Sequence, residues 1–203
     1  MSDQLLWFAT RGAGIVSLLM LTGVVVLGVL NVSRWQAPSW PRFLTAGLHR
    51  NLSLLALVFL GVHIVTAIVD PFTALGPAAA LIPFASSYRP LWVGLGVIAF
   101  DLLVALIATS LIRAYLGQRA WRAVHWLAYG AWPLAITHGI GAGSDAVAPW
   151  MLALDVVCAG LVGVAVVWRV ATVRAGSPEV LRQVVAEVAR PATGTDRGGR
   201  SFR

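Results

Sequence analysis

The sequence predicts an all-α fold: an integral membrane bundle of five transmembrane helices. Three observations predict it. Of 203 residues, 59% are hydrophobic and only 11% charged, where a soluble domain carries about 25% charged residues. A chain this apolar cannot cover itself with polar surface, so lipid is its solvent. Five apolar runs are each long enough to cross a hydrocarbon core of about 30 Å. The net charge of +7 comes from fifteen Arg and no Lys. They lie at the ends of the runs and in the tail, as membrane proteins distribute charge, not as the basic patch of a nucleic-acid binder.

The elements follow in order. The first run covers residues 5–32. No basic segment precedes it and it continues as a full span, so it reads as a helix and not a cleavable signal. Pro38 and Pro41 separate it from the second run, 44–69. Asp70 to Pro90 is a long outer loop. Its middle, 75–84, is apolar but too short to span, and predicts an interfacial or partly re-entrant stretch over the bundle's outer end. The third run is 91–112, and Gly117 divides it from the fourth, 120–140. Gly139 to Gly143 and Pro149 precede the fifth, 150–173.

Residues 1–173 thus form a transmembrane domain and 174–203 a cytoplasmic tail. Ser177-Pro178-Glu179 reads as a helix start, with a capping Ser and Pro in the first position. Val180, Leu181, Val184, Val185 and Val188 make one apolar stripe, predicting a short amphipathic helix over about 178–190 on the inner membrane surface. After Pro191 the chain is polar and Gly-rich and is expected to be disordered. No internal repeat stands out, although the second and fourth runs share a plan.

Orientation follows from the Arg residues. Arg34, Arg42, Arg50, Arg113, Arg119, Arg122, Arg169, Arg174, Arg182, Arg190, Arg197, Arg200 and Arg203 fall on one side; Arg11 and Arg89 fall on the other, with Asp3, Asp70 and Asp145. The positive-inside bias puts the N-terminus outside, the C-terminus in the cytoplasm, and the protein in the cell membrane.

All four His lie in the apolar runs, two in the second and two in the fourth. A lone His in such a place is ordinarily a core residue with one nitrogen satisfied. Four need more polar partners than these spans offer, because a buried imidazole is costly unless both nitrogens are occupied. A metal takes one nitrogen while a backbone or side-chain acceptor takes the other. His49 and His63 are fourteen residues apart, about 21 Å along a helix with an angular offset of only about 40°. His125 and His138 are thirteen apart, about 19.5 Å but about 140° around a regular helix. Pro133, between them, frees a backbone carbonyl and predicts a kink or local unwinding there: either the distortion re-aims one ring or two cofactors approach that helix from different sides. Such separations disfavour a compact zinc or di-iron cluster. Spans two apart run parallel, so His49 faces His125 at the inner end and His63 faces His138 at the outer end. Cys158 alone cannot make a C-x-x-C-H haem attachment or an iron–sulfur cluster, so the expected cofactors are two non-covalent b-type haems with bis-His ligation.

The segments LHRNLSLLALVFLGVH and VHWLAYGAWPLAITHGIGAGSD carry these His at spacings of fourteen and thirteen. Over about residues 5–173 the chain resembles the ferric reductase-like transmembrane domain superfamily, which includes ferric reductases, NADPH oxidases and the membrane subunit of bacterial methionine sulfoxide reductase systems. The resemblance implies the same haem pairing and a membrane oxidoreductase component. Larger members attach a flavin and nicotinamide domain after the last span, and many have six spans. Here about 30 residues follow the fifth run, with no G-x-G-x-x-G fold. The expected electron donor is therefore separate, a cytoplasmic flavoprotein or membrane quinol. The acceptor outside would be ferric iron, oxygen or a periplasmic redox protein, and partner subunits are compatible with this.

Haem propionates need cationic donors. Arg11 is the candidate at the outer haem, and Arg50 and Arg122 flank the inner one, where simple interfacial anchoring is the competing role. Asp145 reads as a turn or helix cap. Of nine Trp, Trp7, Trp35, Trp40, Trp92, Trp121, Trp150 and Trp168 fit an interfacial belt. Trp126 and Trp132 fit packing on porphyrin. Two other function classes compete: a haem-free structural or assembly subunit, and a small-molecule transporter using Asp101 and Asp155. Neither accounts for four His at these spacings.

Overall fold

A computed structural model of the chain describes residues 2–33, 41–71, 73 and 75–188. These residues form six α-helices and no strand: α1 (Ser2–Val32), α2 (Arg42–Val69), α3 (Pro90–Leu111), α4 (Arg113–His125), α5 (Ala128–Ala142) and α6 (Pro149–Val188). Four stretches are long and apolar enough to cross a membrane: Gln4–Val32, Phe43–Val69, Pro90–Leu111 and Pro149–Arg174. They match the first, second, third and fifth apolar runs. The expected disorder after Pro191, with Arg34, Trp35, Trp40, Arg190, Arg197, Arg200 and Arg203, lies outside the described residues.

The fourth run departs from expectation. It is divided into α4, of 13 residues, and α5, of 15. Within α4, Gly117 has φ 73° and ψ 158°, a conformation essentially reserved for glycine. Between the helices the ladder tightens without breaking. Leu127 N–H donates to Val124 O at 2.9 Å, Tyr129 to Trp126 O at 3.1 Å and Gly130 to Leu127 O at 2.9 Å. These are bonds to the third residue back, as in a 3-10 helix. The expected kink at Pro133 is displaced toward the N-terminus. A proline ring crowds the carbonyl four residues before it, here Tyr129, so the irregular turn precedes Pro133, which itself sits inside α5.

The helices pair as two hairpins. α1 lies antiparallel to α2, since His63 reaches Thr10 near the start of α1 and His49 reaches Val24 further along. α3 lies antiparallel to α4 and α5: Trp121 reaches Ser110 and His138 reaches Trp92. The hairpins meet through α1 and α5. Midway along, Trp132 Nε1–H donates to Thr22 Oγ1 at 3.0 Å, and Thr22 donates to Leu18 O at 2.8 Å. The first turns of α6 close this seam. Cys158 and Val162 pack with Leu18, Val25, Trp132 and Ile136. Cys158 is thus a packed small side chain, 1% exposed. Thr22→Val removes the acceptor and leaves a buried indole N–H unpaired. It should cost about 1 kcal/mol, read as a lower thermal midpoint in detergent.

Outward, α2 and α6 show Leu54, Val58, Val62, Val65, Val156, Val157, Leu161 and Val164, all exposed. An apolar surface of this extent is what lipid requires of a spanning helix.

The α2–α3 loop folds over one end of the bundle around a 3-10 turn at Pro77–Ala80, in which Ala79 is buried. Its Phe84 ring packs against Gly94 of α3. Arg89 caps the far end of α5, donating to Gly141 O at 2.5 Å, and Tyr88 donates to Ala142 O at 3.4 Å. These carbonyls belong to the last turn of a helix, which has no internal donors for them.

From Val167 the chain forms a second compact unit. There α6 continues to Val188. No new helix starts at Ser177-Pro178. Proline removes one backbone bond and its ring crowds the preceding turn, at a cost of about 3 kcal/mol, yet α6 runs through Pro178, so the capping signal at that point is overridden.

Candidate functional site

The four His come together as two pairs. His49 of α2 faces His125 at the end of α4, with ring centroids 6.3 Å apart and planes at 61°. His63 of α2 faces His138 of α5 at 6.2 Å and 78°. The pairs lie fourteen residues apart on the unbroken helix α2, about 21 Å.

The tightened turn in α4–α5 reconciles the two helices. Each 3-10 residue turns about 120° rather than 100° and rises about 2.0 Å rather than 1.5 Å. Roughly four such residues after His125 reduce the offset between His125 and His138 from about 140° to about 60°. They also lengthen the step from about 19.5 to about 21.5 Å, close to the separation on α2. Both imidazoles of the second hairpin can then face both imidazoles of the first.

Three of the four rings are oriented alike. His63 Nδ1 bonds Thr10 O at 2.8 Å, His49 Nδ1 bonds Val24 O at 3.0 Å, and His138 Nδ1 bonds Trp92 O at 2.8 Å. Because a carbonyl only accepts, each Nδ1 carries the proton, and each Nε2 keeps its lone pair for a metal. Four residues beyond each carbonyl stands a glycine under the ring. A Cβ at Gly96 would stand 2.6 Å from His138 Nδ1, one at Gly14 2.9 Å from His63 Nδ1, and one at Gly28 3.3 Å from His49 Cε1. At Gly96 and Gly14 only hydrogen lets the imidazole reach the helix backbone, and at Gly28 a methyl would be a tight fit. His125 is the exception: its Nδ1 is buried with no hydrogen-bond partner.

The pair geometry suits a six-coordinate iron. With a metal–nitrogen bond of about 2.0 Å on each side, and nitrogen about 1.1 Å from its ring centre, two axial imidazoles have centroids about 6.2 Å apart. Among the described residues no group of three His, Cys, Asp or Glu gathers at one point. Each pair thus offers two ligands, and a macrocycle supplying the other four fits.

The remaining sequence-predicted residues fall as follows. Arg11 sits at the His63–His138 end and pairs through Nε with Asp145 at 2.5 Å. Asp145 is therefore an ion-pair partner, not merely a turn cap. Nη2 of Arg11 stays buried, a donor with no hydrogen-bond acceptor among the described residues. Arg50 and Arg122 are exposed beside His49 and His125. Asp101 is exposed. Asp155 is 6% exposed, with both carboxylate oxygens lacking a hydrogen bond. Trp132 belongs to the seam between α1, α5 and α6, and Trp126 is 59% exposed beside Tyr129. Trp121, expected in the belt, instead stacks on His125 with centroids 4.9 Å apart.

Sequence reasoning missed the glycines and their carbonyl partners. A signal was present: Gly14 and Gly28 are separated by fourteen residues, as are His49 and His63.

A family model described as ferric reductase like transmembrane component matches residues 13–136. The match takes in His49, His63 and His125 and stops just before His138. Neither the curated proteins nor the solved structures give a match.

Proposed function

Because the chain belongs to the ferric reductase-like transmembrane family, we propose that it is a membrane cytochrome b that carries electrons across the bilayer. The observation that carries this reading is the pair of facing imidazole sets, 6.3 and 6.2 Å between centroids, one toward each end of α2. His49 and His125 would hold one b-type haem and His63 and His138 the other; when bound, the two supply one-electron redox chemistry at both faces of the membrane.

The chain's own residues do the rest. Thr10, Val24 and Trp92 accept the Nδ1 protons, which fixes the rings and leaves each Nε2 free to ligate. Arg11 offers a cation to propionates at its end, with Asp145 holding its guanidinium in place. Arg50 and Arg122 do the same at the other end. Trp132 and Thr22 lock the hairpins together between the sites, and the apolar seam around them keeps water out of the path.

The remaining span of the proposed topology, the fourth in chain order, is the composite of α4 after Gly117 with α5. The Arg bias then sets His49 and His125 on the cytoplasmic side and the N-terminus outside. Electrons would enter from a separate cytoplasmic flavoprotein or from quinol, and leave at the His63–His138 end. With His63 and His138 both engaged as ligands, the acceptor (ferric iron, oxygen or an external redox protein) would take its electron by outer-sphere transfer at that end. The plasma membrane is the location this direction requires. The segment after residue 173 serves as a cytoplasmic tail.

The test is spectral. Chain purified from haem-replete cells should show a reduced-minus-oxidised spectrum of b type and about two haems per chain by pyridine haemochrome. Near-perpendicular imidazole planes should give strongly anisotropic low-spin ferric EPR signals. Colourless protein would reject this reading in favour of a haem-free structural subunit.

A further inference from the structure

Three imidazoles share one device, a carbonyl and, four residues on, a glycine: Thr10 with Gly14, Val24 with Gly28, and Trp92 with Gly96. The spacing of thirteen to fourteen residues between sites predicts where the fourth should be. From Trp92 and Gly96 it leads to Ala105 or Leu106, and to Thr109 or Ser110. The device does not survive there. The glycine is replaced by hydroxyl residues. The Thr109 hydroxyl donates to Ala105 O at 2.7 Å and lies 3.2 Å from Leu106 O, and no glycine clears the approach of a ring to either carbonyl. This accounts for the unpartnered, buried Nδ1 of His125.

What holds His125 instead is one turn away. Trp121 stacks on its ring, centroids 4.9 Å apart and planes at 29°, and its Nε1–H is anchored on Ser110 Oγ of α3 at 3.3 Å. A residue four positions earlier on a helix lies on the same face, and the anchor gives the indole a fixed orientation. We propose that Trp121, seated on Ser110, is the positioning residue for His125, in place of the carbonyl that orients each of the other three imidazoles. This rests on the dihaem reading above.

The arrangement has a chemical consequence. A carbonyl accepting the Nδ1 proton makes an imidazole a stronger donor to its metal. The His49–His125 site has one such ligand and the His63–His138 site has two. Stronger donation favours ferric iron, so the His49–His125 centre should titrate at the higher potential.

The experiment uses the full chain purified from haem-replete cells, wild type beside Trp121→Leu, Trp121→Phe and Ser110→Ala. The readouts are haem per chain, ferric EPR and a potentiometric titration. The pairs differ in interplanar angle, 61° against 78°, so their EPR signals are separable. Trp121→Leu should lose up to half the haem, from the less anisotropic signal and the higher-potential component only. Trp121→Phe keeps an aromatic stack and should retain both haems. Ser110→Ala, which removes only the anchor, should change that same EPR signal with little haem loss, and it decides the matter if Trp121→Leu does not fold. Two haems with both signals and potentials unchanged in Trp121→Leu, or in Ser110→Ala if that variant must decide, would overturn the proposal. So would wild-type components of equal potential. Wild-type protein without haem would instead remove the reading on which it rests.

Discussion

Replacing His63 with alanine should remove about half of the bound haem and leave the His49–His125 centre reducible. His63 and His138 face each other at 6.2 Å, while His49 and His125 form a separate pair about 21 Å away along α2. Deleting one imidazole of a bis-ligated iron leaves a single protein ligand and an open pocket. The distant pair shares with it neither an orienting carbonyl nor a glycine. The haem-to-protein ratio should fall from about two to about one, and the surviving ferric EPR signal should be that of the 61° pair. Full haem in every single His variant would refute the ligand assignment.

The second large effect needs no ligand to be touched. Gly96→Val should weaken haem binding at the same site by about 10- to 100-fold, the range seen when a ligand's outer support is removed. A Cβ at Gly96 would stand 2.6 Å from His138 Nδ1, nearer than real contacts allow, and the branched side chain adds bulk. The ring must then leave the Trp92 carbonyl. The three glycines predict a graded series. Gly14→Ala, with its contact at 2.9 Å, should lose haem partially, and Gly28→Ala, at 3.3 Å, should lose little. Haem retention through gel filtration ranks them. Equal retention in Gly96→Val and Gly28→Ala would show that close ring approach is not what the glycines provide.

Much of this was legible in the sequence because lipid imposes a simple rule. A spanning helix must be apolar for about 20 residues, so four of the five runs appear as spanning stretches within a few residues of their expected ends, although α6 itself runs on to Val188. The His pairing was legible for a related reason: α2 is regular, and fourteen residues on a regular helix return nearly to the same face. The division of the fourth run was not. Trp126 and Leu127 carry no breaking signal of their own, and their backbone angles stay helical. Only the geometry reveals that the turn preceding Pro133 is wound more tightly: ψ is −22° at Trp126 and −20° at Leu127, and the bonds run to the third residue back. The reading of Ser177-Pro178 failed for the opposite reason. A strong local capping signal met a helix already under way, and propagation costs less than a new nucleus. The Arg11–Asp145 pair joins residues 134 positions apart, and no local pattern announces it. The repeated carbonyl-and-glycine device lies between those cases, visible as matched spacings only once two helices are known to be antiparallel neighbours.

Each facing pair draws one imidazole from each hairpin: His49 and His63 from the first, His125 and His138 from the second. In the proteinaceous seam itself, the hairpins are joined by one Trp132–Thr22 bond and an apolar cluster. Cofactor insertion would therefore act as riveting. Two iron centres, each contributing about 4 kcal/mol when haem is a thousandfold above its dissociation constant, would cross-link halves of the chain that, among the described residues, otherwise meet through the Trp132–Thr22 and Trp7–Ser144 bonds, the Arg11–Asp145 ion pair and the apolar cluster. Membrane insertion of the hairpins and their final docking become separable stages of biogenesis. On the dihaem reading, haem supply would govern how much of the newly made chain escapes quality-control proteolysis, and the abundance of this protein in the membrane would report the cell's haem status.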